Sequence, residues 1–99
     1  MRADIRTCVH LRAQSDGGRR SAVFDHYRPD VRFLDTDGEV VATALCALRF
    51  DAEGAIEPGS TVAAHLRCEA PVSLEDGSAF VLVEGGRDVG GGTVVLPPV

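Results

Sequence analysis

The sequence predicts an all-β protein folded as one small antiparallel barrel. Three observations lead there. Short stretches of apolar and polar alternation recur at near-regular spacing, turn signals built on Gly, Pro and Asp separate them, and no stretch repeats its apolar residues at a helical period over several turns. The chain has 99 residues, and a domain of that size buries roughly two-thirds of its unfolded surface, enough for one core. Residues 1–99 are therefore read as a single domain, with no internal repeat or linker.

The first strand is the clearest. Ala3, Ile5, Thr7, Val9, Leu11 and Ala13 fall on one face, and Asp4, Arg6, Cys8, His10 and Arg12 on the other. Gln14 to Arg20 holds Ser-Asp-Gly-Gly-Arg-Arg and reads as a hairpin loop or turn. Pro29 starts a short strand, Asp30 to Leu34, which Asp37-Gly38 closes. Val40 to Phe50 begins with β-branched residues; its Ala-Leu-Ala centre also suits a helix, but its neighbours favour a strand. Ala52 to Gly59 is a loop. Thr61 to Ala70 alternates again, with Val62, Ala64, Leu66 and Cys68 against Ala63, His65, Arg67 and Glu69, and Pro71 is expected to end it. Glu75-Asp76-Gly77-Ser78 turns into the apolar run Phe80 to Val83. Gly85-Gly86 then leads to a Gly-rich strand ending at Leu96, before Pro97 and Pro98.

Charge and cysteine usage narrow the function classes. The net charge of −5 opposes free-standing nucleic-acid binding, because phosphate neutralisation supplies most non-specific affinity. The charge is unevenly spread: residues 1–34 hold seven Arg and four acids, whereas residues 35–99 hold three Arg and eleven acids. No apolar run approaches the ~20 residues of a membrane span, and Met1 is followed by Arg2, Asp4 and Arg6, so a cytoplasmic protein with no membrane partner is expected. Cys8, Cys46 and Cys68 are odd in number and widely spaced, which predicts reduced thiols. Cys8-x-His10 and His65-x-x-Cys68 could be assembled into a zinc site, but residues three apart on a strand lie on opposite faces, so no metal is assigned. Asp25-His26, the thiols and Glu75-Asp76 are the only material for catalysis, and adjacent strand residues point apart, so no enzyme is expected.

Specific residues go further than composition. In order they are Gly17-Gly18-Arg19, Tyr27-Arg28-Pro29 with Phe33, Pro58-Gly59, Glu75-Asp76-Gly77 with Phe80, and Glu84-Gly85-Gly86-Arg87-x-Val89-Gly90-x-Gly92. From about Asp4 to Leu96 the chain resembles the third, C-terminal domain of elongation factor Tu. The resemblance implies a closed antiparallel Greek-key β-barrel of about six strands, here as a stand-alone domain without the GTPase. No G-x-x-x-x-G-K-[ST] loop occurs, so GTP chemistry and cofactors are not expected. Carried over residue by residue, the resemblance implicates Arg19, Arg20, Glu84 and Gly85 as contacts to the backbone of aminoacyl-tRNA. Arg neutralises phosphate, Gly admits the ribose and a carboxylate accepts from a 2′-hydroxyl. Tyr27, Arg28, Pro29, Gly86, Arg87 and Gly90 read as structural members of the motif.

The chain also departs from the family. Asp30 stands where a neutral residue is usual and Ala70 where a basic one is. The longer Leu34–Glu57 segment leaves a family threonine contact unassigned between Thr36 and Thr43. The expectation is a non-catalytic binding module contacting a component of the translation machinery, either a protein partner or aminoacyl-tRNA; the alternative is a structural or self-associating paralogue. Val81 and Val83 lie on the face opposite Phe80 and Leu82, so they either form an interface, as in a homodimer, or pack beneath a loop of the same chain.

Overall fold

The computed structural model describes residues 2–51, 54–72 and 74–95. Expectations for Ala52, Leu96, Pro97 and Pro98 fall outside them. Six strands form the wall: β1 Arg2–Leu11, β2 Asp30–Leu34, β3 Val40–Phe50, β4 Thr61–Val72, β5 Ala79–Glu84 and β6 Arg87–Val94. They close into an antiparallel barrel in the order β1-β4-β3-β2-β5-β6, with β6 returning to β1. β2, β3 and β4 follow one another as hairpins and β1 lies beside β4, which is a Greek key. Closure removes both sheet edges, so every strand backbone has a partner on either side. β1, β3 and β5 run toward one end, called here the upper end, and β2, β4 and β6 start from it.

The core follows the predicted alternation. Ile5, Val9 and Leu11 of β1, Val31 and Phe33 of β2, Leu48 of β3, Leu66 of β4, and Phe80 and Leu82 of β5 all point inward and are buried. Thr7 shares that buried face and its hydroxyl donates to the Ala64 carbonyl at 3.0 Å, so its burial leaves no unmet hydrogen bond. The bounds of β2 and β3 match the sequence reading.

One expectation is corrected and two open readings are narrowed. Gln14 to Arg20 contains one turn of 3₁₀ helix, Gln14–Asp16, but it opens no hairpin, because β1 pairs with β4 and β6 and the chain crosses the upper end before β2 begins. β4 does not stop at Pro71. It continues to Val72, which pairs with Arg2 across a register shift, and a proline is tolerated where the ladder is interrupted. Val83 is 3% exposed, as the alternative of packing within the same chain requires and an exposed interface does not; the register shift beside it gives the extra residue, Val89, to β6 and leaves β5 paired with β2 without a break. Val81 stays half-buried on the outer side.

Closure itself depends on β6. Gly90 and Gly92 lie against β1, and a Cβ on Gly92 would sit 2.0 Å from the Cys8 carbonyl oxygen and 2.9 Å from the Phe80 ring. One at Gly90 would sit 2.6 Å from the His10 carbonyl. Backbone cannot yield as a flexible side chain does, so the seam closes only without side chains there. Gly92→Ala is expected to lower the unfolding free energy in urea by ~2–4 kcal/mol, whereas Thr93→Ala at the neighbouring exposed position should change it by less than ~0.5 kcal/mol. A Gly92→Ala protein as stable as the parent would contradict this account of closure.

Candidate functional site

The upper end carries the long connection from β1 to β2. A connection of this length needs anchors, since it has almost no ladder of its own. Val23 bridges to Ile56 and Tyr27 to Leu48. The Asp25 carboxylate accepts the Phe50 amide at 2.8 Å, and the His26 amide donates to the Leu48 carbonyl at 2.9 Å with His26 in the left-handed region at φ 71°. Asp25 thus latches the crossover through its carboxylate and His26 through its backbone.

The strongest anchor is ionic. Arg19 places one amino group 2.7 Å and 2.6 Å from the two carboxylate oxygens of Glu84 at the end of β5. The Tyr27 hydroxyl donates to the same carboxylate. The Arg19 guanidinium also lies over the Tyr27 ring, 5.1 Å from its centroid, and its remaining nitrogens donate to the Ser21 carbonyl at 3.2 Å and hydroxyl at 3.1 Å. Beside it, Arg87 donates to the carbonyls of Gly17 at 2.7 Å and Gly18 at 3.3 Å. Two stretches of the crossover, the Gly-Gly-Arg turn and the Tyr-Arg-Pro segment, are tied to the β5–β6 turn, which is distant in sequence. Gly85 and Gly86 make that turn with φ of 55° and 80°, the two positive values that a two-residue hairpin loop demands.

Electrostatics follow from this packing. Burial alone would raise the Glu84 carboxyl, but the Tyr27 hydroxyl and Arg19 outweigh it and hold it below its ordinary value. Tyr27 is pushed up, first by burial and then by its bond to Glu84. Arg19 is raised by the same carboxylate.

Arg19, Arg20, Glu84 and Gly85, singled out as RNA-backbone candidates, come together around one open concavity of about 440 Å³, joined by Ser21, Arg87 and Val89. Arg20 is exposed, and Arg19 and Glu84 are half-buried and engaged with each other. Arg87, expected as a structural member of the motif, tethers the Gly-Gly turn and also lines the concavity; the signal for it is its place in the Glu-Gly-Gly-Arg run. Arg28 stands elsewhere, beside Arg67 and Glu69 on the barrel wall, and Pro29 is buried. Val81 lines a separate shallow depression with Gly90, Gly91 and Gly92.

The cysteine expectation is corrected. Cys46 and Cys68 are direct partners in the β3–β4 ladder and are joined as a disulfide. Spacing gave no hint of it, because the pairing arises from register across 22 residues. The zinc assembly considered from sequence does not come together: Cys8 is exposed, whereas Cys68 is buried and bonded to Cys46.

The lowered Glu84 and raised Tyr27 set opposite pH limits. Stability from Glu84 is present above its unfolded value near 4.5 and is lost as pH falls through the lower folded value. Stability from Tyr27 is complete below about pH 10 and is lost only as pH rises toward its higher folded value. Wild type is therefore expected to lose more stability in urea between about pH 6 and pH 3 than Glu84→Gln does. Parallel losses in the two proteins would show that the carboxylate is not held in this way.

The elongation factor Tu C-terminal domain family matches residues 2–96, nearly the whole of the 99-residue chain. Fold, motif order and this match agree, and the chain belongs to the elongation factor Tu C-terminal domain family.

Proposed function

We propose that this chain is a non-catalytic binding domain of translation-factor type that holds the ribose–phosphate backbone of an RNA, with the acceptor and T-stem of a tRNA as its natural class, in the upper concavity. Family membership supports a translation-factor-like binding domain. The observation that carries the finer reading is the convergence of Arg19, Arg20, Gly85 and Arg87 on one open surface.

Each residue has a distinct part. Arg20 is exposed and presents its guanidinium to a phosphate. Arg87 keeps one amino group on the Gly17 and Gly18 carbonyls and offers its other donors outward. Gly85 has no side chain and nothing within 4 Å of where one would start, so a ribose can approach the backbone. Glu84 accepts two of its three bonds on Oε2 and one on Oε1, which leaves Oε1 a lone pair for a 2′-hydroxyl. Arg19 neutralises Glu84 instead of the ligand. Three Arg against one Glu give the concavity a local balance of +2 within a chain of net −5, so the binding is modest and strongly dependent on salt.

The test is fluorescence anisotropy with a labelled acceptor–T-stem RNA hairpin across a salt series. Affinity should fall about tenfold between about 50 and 200 mM salt if two phosphates are held. Arg20→Ala should reduce the slope against salt by about one and weaken every RNA sequence alike, and a DNA hairpin of the same sequence should bind less well. No saturation with RNA, or an Arg20→Ala protein with an unchanged slope, would contradict the reading.

A further inference from the structure

The lower end of the barrel has the opposite character. There the β2–β3 turn and the loop before β5 form the walls of a concavity of about 590 Å³. Its apolar lining includes Leu34, Val41, Leu74 and Ala79. A register shift between Phe33 and Leu34 pairs Leu34 with Val40 and leaves Val41 without a ladder partner on β2. Both valines consequently turn outward, Val40 at 51% and Val41 at 57% exposure, in a fold whose other strand valines are mostly inside. The same two segments, residues 34–41 and 74–79, contain five acids, Asp35, Asp37, Glu39, Glu75 and Asp76, and no Arg, Lys or His.

The walls are preformed. The Asp35 carboxylate accepts the amides of Asp37 at 2.9 Å and Glu39 at 3.0 Å. The Ser78 hydroxyl accepts the Glu75 amide at 3.1 Å, and the Gly77 amide donates to Val94 at 2.8 Å. A ligand therefore meets a groove that needs little ordering, which favours binding without new secondary structure.

We propose that this groove docks a protein segment in which aliphatic side chains are flanked by Lys or Arg. The apolar floor takes the aliphatic side chains, and the acidic rim selects basic flanks and repels nucleic acid and acidic peptides. The two ends of the barrel then serve different partners, RNA backbone above and a basic protein segment below, and the lower site does not depend on the upper one.

The probe is a labelled peptide, Lys-Arg-Leu-Val-Arg-Lys, with one control that replaces Leu and Val by Ser and another that replaces the basic residues by Glu. Saturable binding of the first should weaken about tenfold between about 50 and 300 mM salt, and both controls should bind at least about fivefold less well. The Glu39 and Glu75 carboxylates take no part in the loop hydrogen bonds above, so the double variant Glu39→Gln/Glu75→Gln should keep its urea midpoint while losing about fivefold in affinity and most of the salt dependence. Val41→Ser should lose about fivefold with the salt dependence intact. Arg20→Ala should bind the peptide as wild type does. Failure of the peptide to saturate, equal binding of either control, or variants that bind like the parent would overturn the proposal. So would a mass in sedimentation that rises with concentration and is lowered by the peptide, since the groove would then belong to a second copy of the chain.

Discussion

The upper face of this protein depends on one carboxylate. Glu84 ends β5, and the residues it binds, Arg19 and Tyr27, both belong to the crossover that must travel from the end of β1 to the start of β2. Closure of the barrel fixes where those strands stand, but it does not say where the connecting chain lies. Isolated bridges at Val23 and Tyr27 contribute little ladder. A charge-assisted pair reinforced by a tyrosine hydroxyl and a stacked guanidinium gives the geometry that those bridges lack. Exposed ion pairs alone contribute little to stability, and the importance of this cluster lies in position: it carries Arg20 and the Gly85–Gly86 turn to the same rim.

This assignment divides the labour within the site. Arg19 is the residue most simply read as a phosphate ligand, yet four of its five donors are already committed to Glu84 and Ser21. Arg20, its neighbour, is exposed. Adjacent residues in a constrained turn thus take different parts, one holding the fold and the other facing a ligand. The acidic groove at the far end lies where β1, β3 and β5 begin, so the positive and negative surfaces are separated by the length of the barrel wall.

Much of the wall was legible in the sequence because strand alternation, Pro29, Asp37-Gly38 and Gly85-Gly86 are local signals. β2 and β3 match the reading to the residue. What was not legible depends on which strand lies beside which. The glycine turn after β1 resembles a hairpin locally, and only the ladder shows that β1 pairs elsewhere. A register shift exposed Val41 and another accompanies the continuation of β4 past Pro71, and such shifts leave no trace in composition. The Cys46–Cys68 bond and the Glu84–Tyr27 contact, 57 residues apart, belong to the same class. The family motif, by contrast, brought Arg19, Arg20, Glu84 and Gly85 to attention together, and they do share one surface.

The central claim is that the Glu84 cluster, rather than the barrel wall, holds the crossover in place. Native-state amide hydrogen exchange of wild type and Glu84→Gln tests it most directly, because the Val23 and His26 amides report the crossover and the Leu66 amide reports the wall. The account predicts that Val23 and His26 exchange about tenfold faster or more in Glu84→Gln while Leu66 is unchanged. Unchanged crossover amides, or equal acceleration at all three, would contradict it.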